Sequence, residues 1–154
     1  EGRALLKKHE SVLRAAEARH GVDRHTILAV WGVESDYGKI GGRWSLPQSL
    51  STLACTAPRR RDYFRGELMA ALRILNDRHT SADRMKGSWA GAMGQPQFMP
   101  SAYLKFAESD AGASAADIWG STPDAIASIA NFLEKSGWIA GLPAIVEIVF
   151  KSRA

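Results

Sequence analysis

Cysteine and long apolar runs are scarce in this 154-residue chain. Cys55 is the lone cysteine, which excludes an internal disulfide framework and any cysteine-based metal site and fits either redox compartment. The longest apolar runs, such as Ile27–Trp31 and Ala144–Val146, fall far short of the roughly 20 residues that cross a bilayer. The sequence therefore predicts no integral membrane segment.

The residue patterns of common metal and cofactor sites are also missing. The histidines follow no common zinc spacing, and they are His9, His20, His25 and His79. Gly87, Gly91 and Gly94 lack the lysine and the preceding strand of a phosphate-binding loop. No serine lies between Gly91 and Gly94, as a nucleophile elbow would require. We therefore expect neither a metal nor a cofactor.

The composition that is present is ordinary for a globular protein, at 45% hydrophobic and 23% charged residues. The length predicts one domain over residues 1–154. The net charge is +4, and residues 59–87 carry eight basic against four acidic side chains. Such a segment indicates either solvated helix faces or an anionic partner, such as nucleic acid, anionic lipid or an acidic polymer. Because no nucleic-acid-binding motif accompanies it, we expect no nucleic-acid partner.

The spacing of apolar residues predicts a mainly helical chain. The predicted helices cover residues 3–19, 23–36, 48–56, 58–76, 100–108 and 122–137. Along 58–76, the side expected to be buried carries Tyr63, Leu68, Leu72 and Leu75. The last helix has the strongest start signal, because Thr122 can cap it, Pro123 fits its first turn and Asp124 favours its positive end.

Irregular segments separate the predicted helices. Glycines interrupt the chain at 38–42 and again at 87–97, where they should form structured loops. Residues 109–116 are small and polar, and they predict a surface loop. The tail at 144–150 fits either a short strand or a packed chain end.

Glu34 is the most informative single residue. On a helical wheel begun at Ile27 it lies between Val30 and Trp31, on the apolar stripe and just before a glycine loop. A carboxyl group that loses solvent at such a place should have a raised pKa, as a general acid at neutral pH requires. The residues alone also allow a buried glutamate that pairs with an arginine or accepts backbone hydrogen bonds.

Aromatic and amide side chains in the predicted loops suit a sugar ligand. Five tryptophans are many for this length; most should be core residues, but Trp44 and Trp89 fall in loops and can stack on sugar rings. Gln95 and Gln97 can bind sugar hydroxyls, or they can be two solvated loop amides. Ser88, taken alone, fits a turn residue.

Several ordered motifs resemble the lytic murein transglycosylase B family. The segment GVESDYG at 32–38 resembles the family's catalytic glutamate motif, and KGSWAGAMG at 86–94 with QFMPS at 97–101 is similar to its most specific signature. The likeness runs from about residue 10 to residue 142. Further blocks match in order and spacing, namely Pro58-Arg59-Arg60, Tyr63-Phe64, Gly66-Glu67-Leu68, Asp117-Ile118-Trp119, Asp124-Ala125-Ile126, Ala130-Asn131 and Gly137-Trp138.

The resemblance implies a mainly α-helical, lysozyme-like domain with irregular active-site loops that acts on bacterial peptidoglycan. Such enzymes cleave the β-1,4 bond from N-acetylmuramic acid to N-acetylglucosamine without water and leave a 1,6-anhydro ring. The family's catalytic glutamate corresponds to Glu34, which protonates the glycosidic oxygen and then accepts the proton of the C6 hydroxyl. The substrate's acetamido group is thought to replace the second carboxylate of retaining glycosidases, although Asp36 stays open for that role.

The resemblance also implies roles in substrate binding. Ser88 corresponds to the residue that contacts the acetamido group, and Gln97 to a sugar-binding amide of the cleft. Arg59 and Arg60 correspond to residues that bind the acidic peptide stem. The implied partner is a peptidoglycan glycan strand with its peptide stems. The implied location is the periplasm, with outer-membrane attachment in the full-length form.

Three departures from the family pattern accompany the likeness. Phe132 stands where the family has a cleft tyrosine, and we count it, with Trp89, among the expected substrate-binding residues. Many members carry an EF-hand-like calcium loop, but Ser109-Asp110-Ala111-Gly112-Ala113 lacks acids at the alternate positions, so we expect no calcium. The family's C-terminal Tyr-Asn segment has no counterpart and no leader precedes Glu1, which suggests a trimmed or reduced chain.

The sequence therefore predicts a lytic transglycosylase, a carbon–oxygen lyase that acts on peptidoglycan with Glu34 as its acid and base. Two alternatives remain open at this point. The shortened end and Phe132 are compatible with a peptidoglycan-binding module without catalysis. A hydrolytic muramidase would use the same residues but let water attack, and its products would carry reducing ends.

Overall fold

The structure, a computed structural model that describes residues 1–142, is built mainly from α-helices. In chain order the helices are α1 (Gly2–Lys8), α2 (Glu10–His20), α3 (Arg24–Ser35), α4 (Leu46–Thr56), α5 (Arg61–Asn76), α6 (Pro100–Phe106) and α7 (Thr122–Lys135). Strands β1 (Trp44–Ser45) and β2 (Lys86–Gly87) form a short antiparallel pair. The mainly helical prediction is confirmed, whereas the tail predicted at 144–150 lies outside the described residues.

Three differences from the predicted helices have local reasons. The first predicted helix is two helices, because His9 leaves helical geometry at φ −108° and ψ 21°. Helix α5 begins at Arg61 rather than Pro58, since the three preceding residues form a turn. Ser121, not Thr122, caps α7, and its hydroxyl accepts a hydrogen bond from the Asp124 N–H at 3.2 Å. A capping side chain accepts a hydrogen bond from the N–H of the second or third helical residue. Ser121, directly before the helix, can reach the third residue, Asp124.

Two hydrophobic clusters hold the helices together. One joins α2, α3 and α7 around Trp31 and Ile126. The other joins α4, α5 and α6 with the segment 85–98, around Leu50 and Ile74. Helix α7 belongs to both, because its Ile126 packs in the first cluster and its Phe132 against the second. No helix within residues 1–142 is long and apolar enough to cross a membrane.

Helix α5 buries only part of the predicted face: Leu68 and Leu75 pack against the core, as predicted, but the other two residues do not. Tyr63 is 40% exposed and Leu72 is 44% exposed, so their predicted burial is wrong. Glu67 is buried because its carboxylate accepts hydrogen bonds from the N–H (2.9 Å) and the hydroxyl (2.6 Å) of Ser101, at the start of α6. A pattern of apolar residues cannot reveal this carboxylate. The buried side chains of α5 are Phe64, Glu67, Ala71 and Ile74.

Two carboxylates organise the loop between α6 and α7. The buried Asp124 accepts hydrogen bonds from the N–H groups of Asp110 (3.1 Å) and Asp117 (2.8 Å). Asp117 in turn accepts one from the Gly120 N–H (2.9 Å) and pairs with Arg84 at 2.6 Å. Burial acts to raise the pKa of Asp117, but the hydrogen bonds and Arg84 together lower that pKa below its usual value.

This loop does not fit a calcium ion. Calcium takes six to eight oxygen ligands, whereas Ala111 and Ala113 supply no side-chain oxygen and the two organising aspartates already accept backbone N–H groups. Arg19 of α2 also places its guanidinium 2.9 Å from Glu108. Residues 1–142 contain no group of three or more side chains arranged to hold a metal. The loop is held by these carboxylates and by the packing of Trp119 against the cluster around Leu50.

Calcium should therefore leave the stability of the protein unchanged. In scanning calorimetry, we expect the same Tm with millimolar Ca²⁺, with EDTA and with neither, because the loop offers too few free oxygen atoms. A Tm that rises with Ca²⁺ and no longer rises in Asp117→Asn would contradict this account of the loop.

The Asp124→Asn variant tests the carboxylate that holds the loop. An amide oxygen replaces a charged acceptor of two N–H groups, so the free energy of unfolding should fall by about 1.5–3 kcal/mol, the value of one hydrogen bond to a charged group. Urea denaturation measures the change. Asp110→Asn is the matched control, because its side chain only approaches Arg19 at 4.0 Å, and it should change stability by less than about 0.5 kcal/mol. Equal losses would mean that loop charge, not these bonds, matters.

Candidate active site

Glu34 lies in the last turn of α3, on the wall of an open cleft of about 240 Å³. Helices α3 and α7 and the segment 96–99 form the walls of this cleft. The structure thus brings Glu34 together with Gln97 and Phe132, two other residues singled out from the sequence. Apolar side chains make up most of the remaining wall, including Val30, Phe98, Met99 and Ile129.

The Glu34 side chain is exposed, which corrects the expectation that the protein core desolvates it. The buried face of α3 carries Ile27, Leu28, Trp31 and Ser35, and Glu34 lies at the edge of this face. Val30 packs against the Trp31 cluster and also lines the cleft, so the apolar stripe of α3 extends beyond the core to the cleft wall, where Glu34 lies. Because its side chain is exposed, the alternative of a buried glutamate is excluded. Any desolvation of this carboxyl must come from a ligand that fills the cleft.

A buried network around Trp31 fixes the chain on either side of Glu34. The Trp31 Nε1–H donates a hydrogen bond to Gln95 Oε1 at 3.0 Å, and Tyr37 packs edge-on against the indole with ring centroids 5.5 Å apart. Gly38 has φ +83°, and a Cβ there would lie 2.6 Å from Gln95 Oε1. Only glycine fits this close approach. The end of α3 is therefore held in one position.

The two glutamines of the signature segment have different surroundings. Gln95 is buried and accepts a hydrogen bond from Trp31, so neither alternative that the sequence left open, a sugar-binding amide or a solvated loop amide, describes it. Gln97 lines the Glu34 cleft, and its amide nitrogen donates to the Gly94 carbonyl at 2.8 Å. That bond leaves the carbonyl oxygen of Gln97 as the group that can accept a hydrogen bond from a ligand. Its φ of +53° is unusual for glutamine, as is common where a functional side chain must be aimed.

Ser88 closes a tight turn beside the cleft-lining segment. Its hydroxyl oxygen accepts the Ala92 N–H at 3.0 Å, and its own N–H donates to the Ala92 carbonyl at 2.7 Å. The sequence allowed such a turn, and the structure shows it. The turn leaves the hydroxyl proton of Ser88 able to donate to a ligand. Ser88 is not one of the residues that line the Glu34 cleft.

Arg59, Arg60 and Trp89 line a second groove of about 550 Å³, at the junction of α4 and α5. Both arginines are exposed, and Trp89 is 68% exposed. The Arg60 guanidinium lies 4.2 Å from the centroid of the Tyr63 ring and 5.4 Å from that of Phe64, which restricts its direction. The groove thus combines two cations with a large aromatic surface.

Some cleft residues escaped the analysis of the sequence, although one carried a usable signal. Val30 precedes Glu34 by four residues and therefore shares its face of α3, so its place in the cleft followed once Glu34 was chosen. Met99 and Ile129 come from segments far away in the chain. Their place in the cleft depends on tertiary contacts that no local pattern contains.

Comparisons with known proteins agree with this arrangement. The family model described as the transglycosylase SLT domain matches residues 1–154. The chain is 36% identical over 140 residues to the membrane-bound lytic murein transglycosylase B of Escherichia coli (strain K12). The aligned residues make up 91% of this chain and 38% of that protein.

Two solved structures show the same fold. SltB3 from Pseudomonas aeruginosa, in complex with NAG-NAM-pentapeptide, has a TM-score of 0.88 and 46% identity over 92% of this chain and 38% of its own. The Escherichia coli lytic transglycosylase Slt35, in complex with calcium, has a TM-score of 0.85 and 36% identity over 91% of this chain and 45% of its own. The chain therefore spans less than half the length of these relatives. The predicted lysozyme-like helical fold is confirmed, and the chain belongs to the transglycosylase SLT domain family.

Proposed function

We propose that this domain is a peptidoglycan lytic transglycosylase. It cleaves the β-1,4 bond from N-acetylmuramic acid to N-acetylglucosamine and leaves a 1,6-anhydro end on the muramyl product. The observation that carries this proposal is the position of Glu34, an exposed carboxyl on the wall of an otherwise mainly apolar cleft. The relative SltB3, solved with NAG-NAM-pentapeptide, supports the substrate class.

Glu34 acts first as an acid and then as a base. Its proton passes to the glycosidic oxygen, the bond from that oxygen to C1 of the muramyl residue breaks, and the N-acetylglucosamine side leaves as an alcohol. The Glu34 carboxylate then takes the proton of the C6 hydroxyl as that oxygen bonds to C1. The carboxyl group is protonated again at the end, and no water is consumed.

The apolar cleft makes this acid effective only when substrate is bound. The walls formed by Val30, Phe98, Ile129 and Phe132 exclude water once a sugar fills the space. With water excluded, the electrostatic interactions between the Glu34 carboxyl and the reacting atoms of the substrate become stronger. Exposure in the free protein lets the group exchange its proton with solvent between turnovers.

A second catalytic carboxylate is not needed in this scheme. Asp36 is the nearest candidate in sequence, but its side chain is already paired with Lys39 at 3.2 Å. We propose that the substrate's acetamido oxygen stabilises the charge at C1 instead, held by the Ser88 hydroxyl. Gln97 accepts a hydrogen bond from a sugar hydroxyl, and Phe132 packs against the sugar ring.

The second groove binds the peptide stem of the substrate. Arg59 and Arg60 attract its carboxylates, and Trp89 covers its apolar atoms or a neighbouring sugar face. This gives the basic segment at 59–87 an acidic partner, one of the two alternatives that its charge left open. Peptidoglycan places the domain in the periplasm, and the full-length protein can be attached to the outer membrane there.

The Glu34→Gln variant tests the catalytic role. We expect release of anhydro-muropeptides to fall at least ~10²-fold, the lower end for acid–base catalysis. The fold should persist because the side chain is exposed. Mass spectrometry of peptidoglycan digests measures the rate. The matched control is Asp36→Asn, a carboxylate at the same end of α3, which should keep wild-type activity.

The products of the same digests decide between the candidate functions. Anhydro ends from wild type, lost in Glu34→Gln, support a transglycosylase. Reducing ends would identify a muramidase. Binding to sacculi with no released product from wild type would identify a binding module.

The Arg59→Ala/Arg60→Ala variant tests the peptide groove. Its affinity should fall more for peptide-bearing glycan than for glycan stripped of peptides, by roughly 0.2–1 kcal/mol per exposed arginine. Pull-down titrations on both materials measure the difference. Arg61→Ala/Arg65→Ala, which removes the same charge from the next turns, is the control and should bind both materials like wild type. An equal loss on both materials would leave only general electrostatic attraction.

A further inference from the structure

Helix α5 carries an exposed stripe that the proposed function does not use. The helix packs against α4 and α6, and an exposed side of it presents four side chains at helical spacing, each four or three residues after the last. Met69 is 64% exposed and Leu72 is 44% exposed. We call this set the α5 outer stripe, and it consists of Arg61, Arg65, Met69 and Leu72.

The cations of the α5 outer stripe are free to meet an external anion. Arg73, further along the helix, pairs with Asp77 at 3.5 Å, whereas Arg61 and Arg65 have no acidic partner within ion-pair distance among residues 1–142. They lie in the segment with eight basic and four acidic residues. The surrounding field therefore favours an anionic surface.

A shallow groove beside the stripe gives the arginines a place to hold one anionic group. Arg61 and Arg65 line a groove of about 470 Å³ between α4 and α5, together with Ser51 and Cys55. Side chains four residues apart on a helix have Cβ atoms roughly 5–6 Å apart. Two guanidinium groups at that spacing can donate hydrogen bonds to the same phosphate.

The apolar half of the stripe selects lipid over sugar. Sugar rings are recognised by flat aromatic faces such as that of Trp89, and the stripe has none. Met69 and Leu72 are flexible aliphatic side chains next to cations, the composition of a helix face that lies at the boundary between headgroups and acyl chains. The combination therefore matches the surface of an anionic membrane.

We propose that the α5 outer stripe docks this domain onto a bilayer that carries anionic phospholipids. Arg61 and Arg65 bind the headgroup phosphates, and Met69 and Leu72 enter the outer acyl region. The α4 residues that line this groove and those that line the groove of Arg59 and Trp89 fall on opposite sides of that helix. A docked domain thus keeps its peptide groove open.

Vesicle sedimentation tests the proposal. The protein should bind vesicles of phosphatidylglycerol mixed with phosphatidylcholine, bind less as salt is raised, and ignore phosphatidylcholine alone. Arg61→Gln/Arg65→Gln should weaken binding about fivefold per arginine, or roughly 25-fold together. Met69→Gln/Leu72→Gln should also weaken it. The matched control, Arg3→Gln/Lys7→Gln, removes the same charge from two exposed α1 residues that are also four apart, and it should bind like wild type.

Several outcomes would overturn the docking surface. Wild-type binding to phosphatidylcholine alone, or the same loss in the α1 and α5 variants, would show that the stripe is not specific. If variants of the α5 outer stripe bind vesicles normally but no longer bind sacculi or DNA, the stripe serves another partner. Release of anhydro-muropeptides from soluble glycan by Arg61→Gln/Arg65→Gln should stay at the wild-type rate. This separate measurement distinguishes failure of the docking proposal from failure of the proposed transglycosylase activity.

Discussion

The hydrogen bond from Trp31 to Gln95 is the contact on which the arrangement of the cleft depends. It joins α3, in one hydrophobic cluster, to the segment that crosses the other, between residues 64 positions apart in the chain. Glu34 follows Trp31 by one helical turn, and Gln97 follows Gln95 by two residues. The contact between Trp31 and Gln95 therefore also fixes the positions of Glu34 and Gln97 relative to each other. The indole is buried, so an unpaired N–H or amide would be costly.

An exposed carboxyl suits the proposed two-step role. At the edge of α3, Glu34 keeps contact with solvent, and the apolar side chains beside it give a low-dielectric setting once substrate enters. The carboxylates that are buried serve the architecture instead. The Glu67 carboxylate accepts a hydrogen bond from Ser101 in the first turn of α6, and the Asp124 carboxylate holds the loop between α6 and α7.

The basic segment at 59–87 carries two surfaces with different chemistry. Arg60 stacks on aromatic rings beside Trp89, which suits a ligand with carboxylates and flat apolar faces. Arg61, the next residue in the chain, and Arg65 adjoin aliphatic side chains and line a groove on the other side of α4. Adjacent residues of one helix point in different directions. A single run of arginines can thus address two partners at once.

The sequence by itself determined the helical class, the position of α7 and the identity of Glu34 as the candidate acid. Those inferences rest on local signals: apolar periodicity, a proline with an acid at a helix start, and an ordered set of motifs. The structure alone decided that Glu34 is exposed, that Gln95 is buried while Gln97 lines the cleft, and which face of α5 is buried. Each of these depends on a contact between distant segments, such as that of Glu67 with Ser101. Local periodicity carries no information about such partners, because burial is set by what packs against a side chain and not by the side chain itself.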